Sequence, residues 1–241
     1  MNIPTLRGII KRRILVNFKS DPVAVQRLLP EGFRPKLHRG KAVAGICLIR
    51  LEHIRPKLAP EFLGLSSENA AHRIAVEWDE DGNTREGVFI PRRDTNSAIN
   101  ALAGGTLFPG EHNRADFTVV ETGDRIDFSM KSRDDEIKVE VSGRFADELP
   151  KDSMFEKLED SSEFFRGGAL GYSATRDQKH LDGITLETME WKVRPLDVET
   201  VSSTFYDDRS IFPEGTIEFD HALIMKDVEH EWHSAPAYPL K

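Results

Sequence analysis

Residues 114–145 read RADFTVVE, DRIDFSMKS and EIKVEVSGRF, broken only by TG and an acidic corner. Each run alternates apolar and polar side chains, the period of a strand with one face buried, and the breaks are short enough for tight turns. Such a stretch predicts an antiparallel meander with Phe128, Met130, Val139 and Val141 on its inner face. A one-residue slip would expose all four. The rest of the chain follows the same style. Strands are expected at 13–19 and 41–54, and HRIAVEW and REGVFIP flank the turn-rich DEDGNT as a hairpin. Later strands are expected in GITLETMEWKV, LDVETVSSTFY and GTIEFDHALIMKDV. Three short helices fit between them. SDPVAVQRLLP starts at a Ser20 or Asp21 cap with Pro22 in its first turn, TNSAINALAGG at Thr95 or Asn96, and DSMFEKLEDSSEFF ends at Gly167-Gly168. No repeat or linker divides the chain, so residues 1–241 are read as a single domain. Roughly nine strands in one antiparallel system leave exposed edges unless the sheet closes. The expected class is therefore mainly β (α+β): an antiparallel barrel or cone with a few short helices.

Composition narrows the function classes. Hydrophobic residues make up 39% and charged residues 31%, the balance of an ordinary globule. No apolar run reaches the length of a membrane span, and the N-terminus lacks the order of a secretory leader. With one cysteine, Cys47, no internal disulfide can form, which fits a cytoplasmic setting. Its place in the apolar run AVAGICLIRL reads as a packed structural thiol rather than a nucleophile. Residues 1–57 hold 13 Lys+Arg against 3 Asp+Glu, and the remainder 20 against 38. The basic residues are interleaved with strand-forming ones, so the two parts are expected to neutralise each other within one domain. An acidic chain with 8% aromatics makes a poor nucleic-acid platform, and neither nucleic acid nor membrane is expected as a partner.

One segment is built differently. AINALAGGTLFPGEH runs from a small-residue helix through Gly-Gly into an aromatic-proline elbow, followed by Gly110, Glu111 and His112. It resembles the helix and aromatic-proline step of the acetoacetate decarboxylase-like superfamily. ILVNFKSDPVAVQRLLPEGF, LSSENAAHRIAV and FDHALIM resemble that superfamily's opening strand and helix, its glutamate-bearing loop and a late strand. Together the four stretches span nearly the whole chain, and the uncharacterised YqjF-like branch is the nearest in kind. The resemblance implies a barrel or cone enclosing a small-molecule site. It also implies a departure. In the decarboxylases two lysines follow the elbow, one of them forming a Schiff base; here those positions are Gly110 and Glu111. Acetoacetate decarboxylation through this elbow is therefore not expected.

The candidate site residues follow from both readings. Glu68 falls where the resemblance places a substrate-orienting glutamate, with His72 and Arg73 beside it; the alternative is a solvated loop. Glu111 and His112 could form an acid/base pair, or an exposed turn. Arg92 and Arg93 precede the elbow helix and suit a carboxylate or phosphate, although in an extended segment only one can face a cavity; the alternative is a surface Arg-Asp network. Tyr172, Ser173 and Arg176 in GGALGYSATRD follow a glycine-rich helix stop and could close a pocket; the alternative is a plain turn into a strand. His230 and His233 in EHEWH lack the spacing of a zinc helix, so no metal and no cofactor are expected. The leading function is a small-molecule enzyme on this scaffold, lacking the Schiff-base lysine, that acts on an anionic or carbonyl compound by carboxylate acid/base chemistry. The alternative is a non-catalytic ligand-binding protein that keeps the cavity. Homo-oligomerisation is left open.

Overall fold

A computed structural model describes residues 4–103, 110–175 and 179–240. Thirteen strands form one sheet: β1 (Leu6–Ser20), β2 (Arg34–Pro35), β3 (Leu37–His38), β4 (Lys41–Pro56), β5 (Leu65–Glu80), β6 (Asn83–Thr95), β7 (Asn113–Thr122), β8 (Arg125–Ser132), β9 (Lys138–Phe145), β10 (Leu170–Ala174), β11 (His180–Thr188), β12 (Arg194–Ser203) and β13 (Ile217–Pro239). Four short helices join them: α1 (Pro22–Gln26), α2 (Ala98–Ala103), α3 (Leu158–Gly167) and α4 (Thr204–Asp207). Pairing is antiparallel except where β6 meets β7 and β10, which run parallel to it.

The pairings close. From β6 the path runs through β7, β8, β9, β12, β13, β1, β4 and β5 back to β6; a shorter path runs through β10 and β11 to β13. Two circuits thus share the wall β13–β1–β4–β5–β6, and closure removes the long edges that an open sheet would expose. The shared wall has two apolar faces. Val16, Ile46 and Ile74 belong to one buried cluster, and their neighbours Leu15, Cys47 and Ala75 to another. This is why AVAGICLIRL reads as a continuous apolar run rather than an alternating one: both sides are covered.

Local chemistry sets the connections. Asp21 caps α1 by accepting the Val23 N–H at 2.7 Å, with Pro22 in the first turn. The β5–β6 hairpin turns at Asp81 and Gly82, both at positive φ, the conformation that two-residue turns demand. At α2 the cap falls one position beyond the expected residues, on Ser97, whose Oγ accepts the Asn100 N–H at 3.2 Å. Helix α3 begins later than DSMFEKLEDSSEFF suggests. Asp220 accepts hydrogen bonds from Ser153 Oγ and Met154 N–H, each at 2.8 Å, and this holds the preceding segment out of the helix.

The meander is in the register that alternation requires, with Phe128 opposite Val141 and Met130 opposite Val139. All four are at most 3% exposed. Phe128→Ala is expected to cost about 3–5 kcal/mol, read from urea denaturation. Val120→Ala, at a position 52% exposed on β7, should stay within about 0.5 kcal/mol.

Candidate functional site

Strand alternation along the shared wall gathers one set of side chains around a cavity of about 130 Å³. Arg13 reaches it from β1, Cys47 and Ile49 from β4, Asn69 and Arg73 from β5, and Arg93 from β6. The register places Arg13 opposite Ile49, Cys47 opposite Ala71, Ala71 opposite Arg93, and Arg73 opposite Gly45. Cys47 therefore sits among three arginines. Small residues leave them room: a Cβ at Gly45 would lie 2.3 Å from the Val16 carbonyl and 3.3 Å from Arg73 Nη2. Ile90, Ile184, Leu186 and Trp232 supply an apolar remainder. His112, Ser67 and Asn100 add polar groups, and Asp94 also borders the cavity while its carboxylate pairs with Arg92.

None of the three arginines has a carboxylate partner among the described residues. Arg13 Nε donates to Cys47 Sγ at 3.2 Å, and Arg93 Nε to Ser173 Oγ at 3.0 Å. Arg73 Nη2 donates to Asn17 Oδ1 at 2.5 Å, with its guanidinium 4.9 Å from the Phe165 ring centre. Arg73 Nε and Arg13 Nη1 are buried without a hydrogen-bond partner. Burial lowers Arg73 and Arg93 to about 10, so both remain charged at neutral pH. His112 is held down to about 3, first by burial and then by the charge of Arg93. Its Nδ1 lies 3.3 Å from the Gly110 carbonyl, a bond the ring can only donate, so that nitrogen carries the proton.

Behind Arg73 runs a hydrogen-bond chain that the sequence does not announce. Asn17 Nδ2 donates to His221 Nε2 at 3.2 Å, and His221 Nδ1–H donates to Asp220 at 2.6 Å. Ser161 Oγ lies 2.7 Å from His221 Nε2. The order Ser–His–Asp is that of a hydrolytic triad, but Ser161 is fully buried and lines no described cavity. Here the three residues brace Asn17, and through it Arg73. Burial pushes Asp220 up, yet hydrogen bonds from His221, Met154 and Ser153 bring it below the ordinary carboxylate range. Its negative charge thus faces Arg73 across two neutral side chains.

Several expected site residues lie elsewhere. Glu68 is in a strand, not a loop, and alternation turns it to the reverse face from Ser67 and Asn69. There it pairs with Arg12 at 2.6 Å and Arg50 at 3.5 Å, buried and away from the cavity. Glu111 is exposed and does not line the cavity, so no shared carboxylate site forms. His72, also on the reverse face, packs on Phe205 and Tyr206 in the core. Tyr172 packs against Trp78 and Tyr238 in the same core. The arginine doublet divides as an extended segment must: Arg93 faces the cavity, while Arg92 bonds Asp94, Asp134 and Glu136. Asp94 follows Arg92 to that face, where burial first, and Asp134 and Glu136 after it, raise it to about 6 against the pull of Arg92. Leu107, Phe108, Pro109 and Arg176 lie outside the described residues. Gly110 has φ +75°, and a Cβ there would come within 2.4 Å of Ser173 Cβ, so the position has no room for a side chain. Arg13 and Cys47 are the site residues that the sequence reading missed. Their signal was an arginine and a thiol within strand runs that proved to be covered on both faces.

The fold and cavity define a class. Among solved structures the chain is similar to an acetoacetate decarboxylase from Legionella pneumophila (TM-score 0.63, 11% identity, covering 99% of this chain and 88% of that one). It is also similar to an acetoacetate decarboxylase-like enzyme from Sphingomonas wittichii (0.60, 12%, 100% and 94%). A third relative is the enduracididine biosynthesis enzyme MppR, solved with pyruvate (0.60, 13%, 100% and 91%). These likenesses establish the acetoacetate decarboxylase-like fold. Within it, residues 10–223 match the family DUF2071, described as an uncharacterised conserved protein (COG2071), and the chain belongs to that family. No curated protein matches its sequence.

Two measurements check this account of the charged groups. Arg12→Met should cost about 3–5 kcal/mol by leaving buried Glu68 with only the longer contact to Arg50, and adding Glu68→Met should recover most of the loss in urea denaturation. A double variant as unstable as the single one would show that the pair does not act as described. The second concerns acid. His72 and His112 are held near 3 and His230 near 4, chiefly by burial, below the value of about 6.5 expected in the unfolded chain. The unfolded state then takes up protons that the folded state refuses, so this stability is present above pH 6.5 and declines as pH falls toward 4. The urea midpoint should drop over that window, and His72→Gln should flatten the descent.

Proposed function

We propose that this protein binds a small anionic carbonyl compound in the arginine-lined cavity and acts on it as an enzyme of the acetoacetate decarboxylase-like scaffold. One observation carries the reading: Arg13, Arg73 and Arg93 converge on one cavity with no carboxylate partner among the described residues. Burying cations without counterions is costly, and an anionic ligand restores the balance. Arginine's planar fork suits a carboxylate, and the apolar wall of Ile49, Ile90 and Trp232 suits a carbon skeleton beyond it. The pyruvate bound by MppR supports an α-keto acid as the first probe.

The acid/base role expected of Glu68 and Glu111 passes in this reading to His112, whose Nε2 carries the lone pair. A bound carboxylate would offset the Arg93 charge that depresses His112, making the ring a better base when ligand is present. The second reading, a binder without catalysis, is favoured by one observation: no lysine lines the cavity among the described residues, and Gly110 cannot be replaced by one without a clash.

Calorimetric titration with pyruvate tests the site. Arg93→Gln removes a charged hydrogen-bond donor worth about 1.5–3 kcal/mol and should weaken binding tenfold or more. Arg92→Gln, on the reverse face of the wall, should leave affinity unchanged. Equal affinity in wild type and Arg93→Gln would overturn the anion-site reading.

A further inference from the structure

Cys47 is the only thiol in the chain, and although it belongs to a buried apolar cluster, its sulfur has polar company. It lies on the cavity wall, and Arg13 Nε–H donates to its sulfur at 3.2 Å. Arg73 and Arg93 line the same cavity. The diagonal neighbours of Cys47 on the wall are arginines, and its direct neighbour toward Arg93 is Ala71, whose methyl group leaves the space over the sulfur open to a ligand.

A second feature points to an anionic ligand. Arg73 is 96% buried, its exposure being 4%, and its Nε–H has no partner; Arg13 Nη1 is likewise buried and unpartnered. Both residues border the cavity that holds Cys47. An anion placed there brings its own electrophilic carbon beside the sulfur.

Resting on the anion-site reading, we propose that Cys47 is the nucleophile of this cavity, adding to the carbonyl carbon of an α-keto acid whose carboxylate lies on the arginines. In this step the Cys47 sulfur forms a bond to carbon as its S–H bond breaks, the π pair of the C=O bond moves to oxygen, and that oxygen takes up the released proton. The sum is thiol plus ketone giving a hemithioketal. Nothing is oxidised or reduced, and no co-reactant is consumed. The sulfur on β4 thus performs the carbonyl capture for which the cavity's described residues supply no amine.

The full-length protein tests this directly, since its single cysteine makes every thiol adduct assignable. Alkylation by iodoacetate and by iodoacetamide is followed by intact mass, with glutathione as the reference thiol. The anionic reagent should react at least tenfold faster relative to the neutral one than it does with glutathione, and pyruvate should protect. Arg13→Gln should bring the ratio back toward that of glutathione. With [2-¹³C]pyruvate, carbon NMR should show a protein-dependent tetrahedral carbon that disappears in Cys47→Ser. An iodoacetate preference no greater than that of glutathione, or a tetrahedral signal that is absent or survives in Cys47→Ser, would overturn the proposal. If calorimetry still shows pyruvate binding that Arg93→Gln weakens, the nucleophile alone has failed. If binding is also absent, the anion site has failed with it.

Discussion

Two successive side chains of a β-strand point to opposite faces of the sheet, and the organisation of this molecule depends on that constraint acting on charged doublets. Arg12-Arg13, His72-Arg73 and Arg92-Arg93 each straddle the shared wall. Arg13, Arg73 and Arg93 go to the cavity. Arg12 and Arg92 go to the reverse face, where they meet Glu68 and Asp94. The acids of the wall therefore pair on one side, and on the other the three arginines have no carboxylate partner among the described residues. A positive cavity results without any unusual excess of arginine; the chain as a whole carries a net charge of −8.

Holding three guanidinium groups in a half-apolar enclosure needs support from outside it. Phe165 offers a ring face to Arg73, and Ser173 and Asn17 accept from Arg93 and Arg73. Behind Asn17, neutral His221 hands the hydrogen-bond polarity on to Asp220, which is itself fixed by Ser153 and Met154. Because the histidine is buried and bonded at both nitrogens, Asn17 has little freedom to turn its amide, and its oxygen stays toward Arg73. The same residues that delay the start of the expected helix are thus part of what orients a cavity arginine.

The sequence made the meander, the hairpins and the α1 cap legible because each is decided by local periodicity and turn chemistry. It also allowed the family resemblance to be read from short motifs spread over the chain. The site was only partly legible. That one of Arg92 and Arg93 must face inward follows from alternation, but which one depends on the register with Ala71. Glu68 misled because its segment was taken for a loop; once it is a strand, its direction follows from Ser67 and Asn69 on either side. Cys47 and Arg13 were hidden for a different reason. A strand buried on both faces shows no alternation, so nothing in AVAGICLIRL marks which side holds a cavity. The Asp220–His221–Ser161 chain brings together residues 60 positions apart, a proximity that no local pattern encodes.

Gly110 carries a consequence for the history open to this scaffold. Its backbone is left-handed and the Ser173 side chain fills the place where a Cβ would stand. A codon change introducing lysine there would bring a strained turn and a steric collision before it brought an amine. Ser173 would have to shrink and the turn to rewind first, and Ser173 is also the acceptor that holds Arg93. Lysine at this position would thus loosen the hold on Arg93, and packing keeps an amine out of this turn.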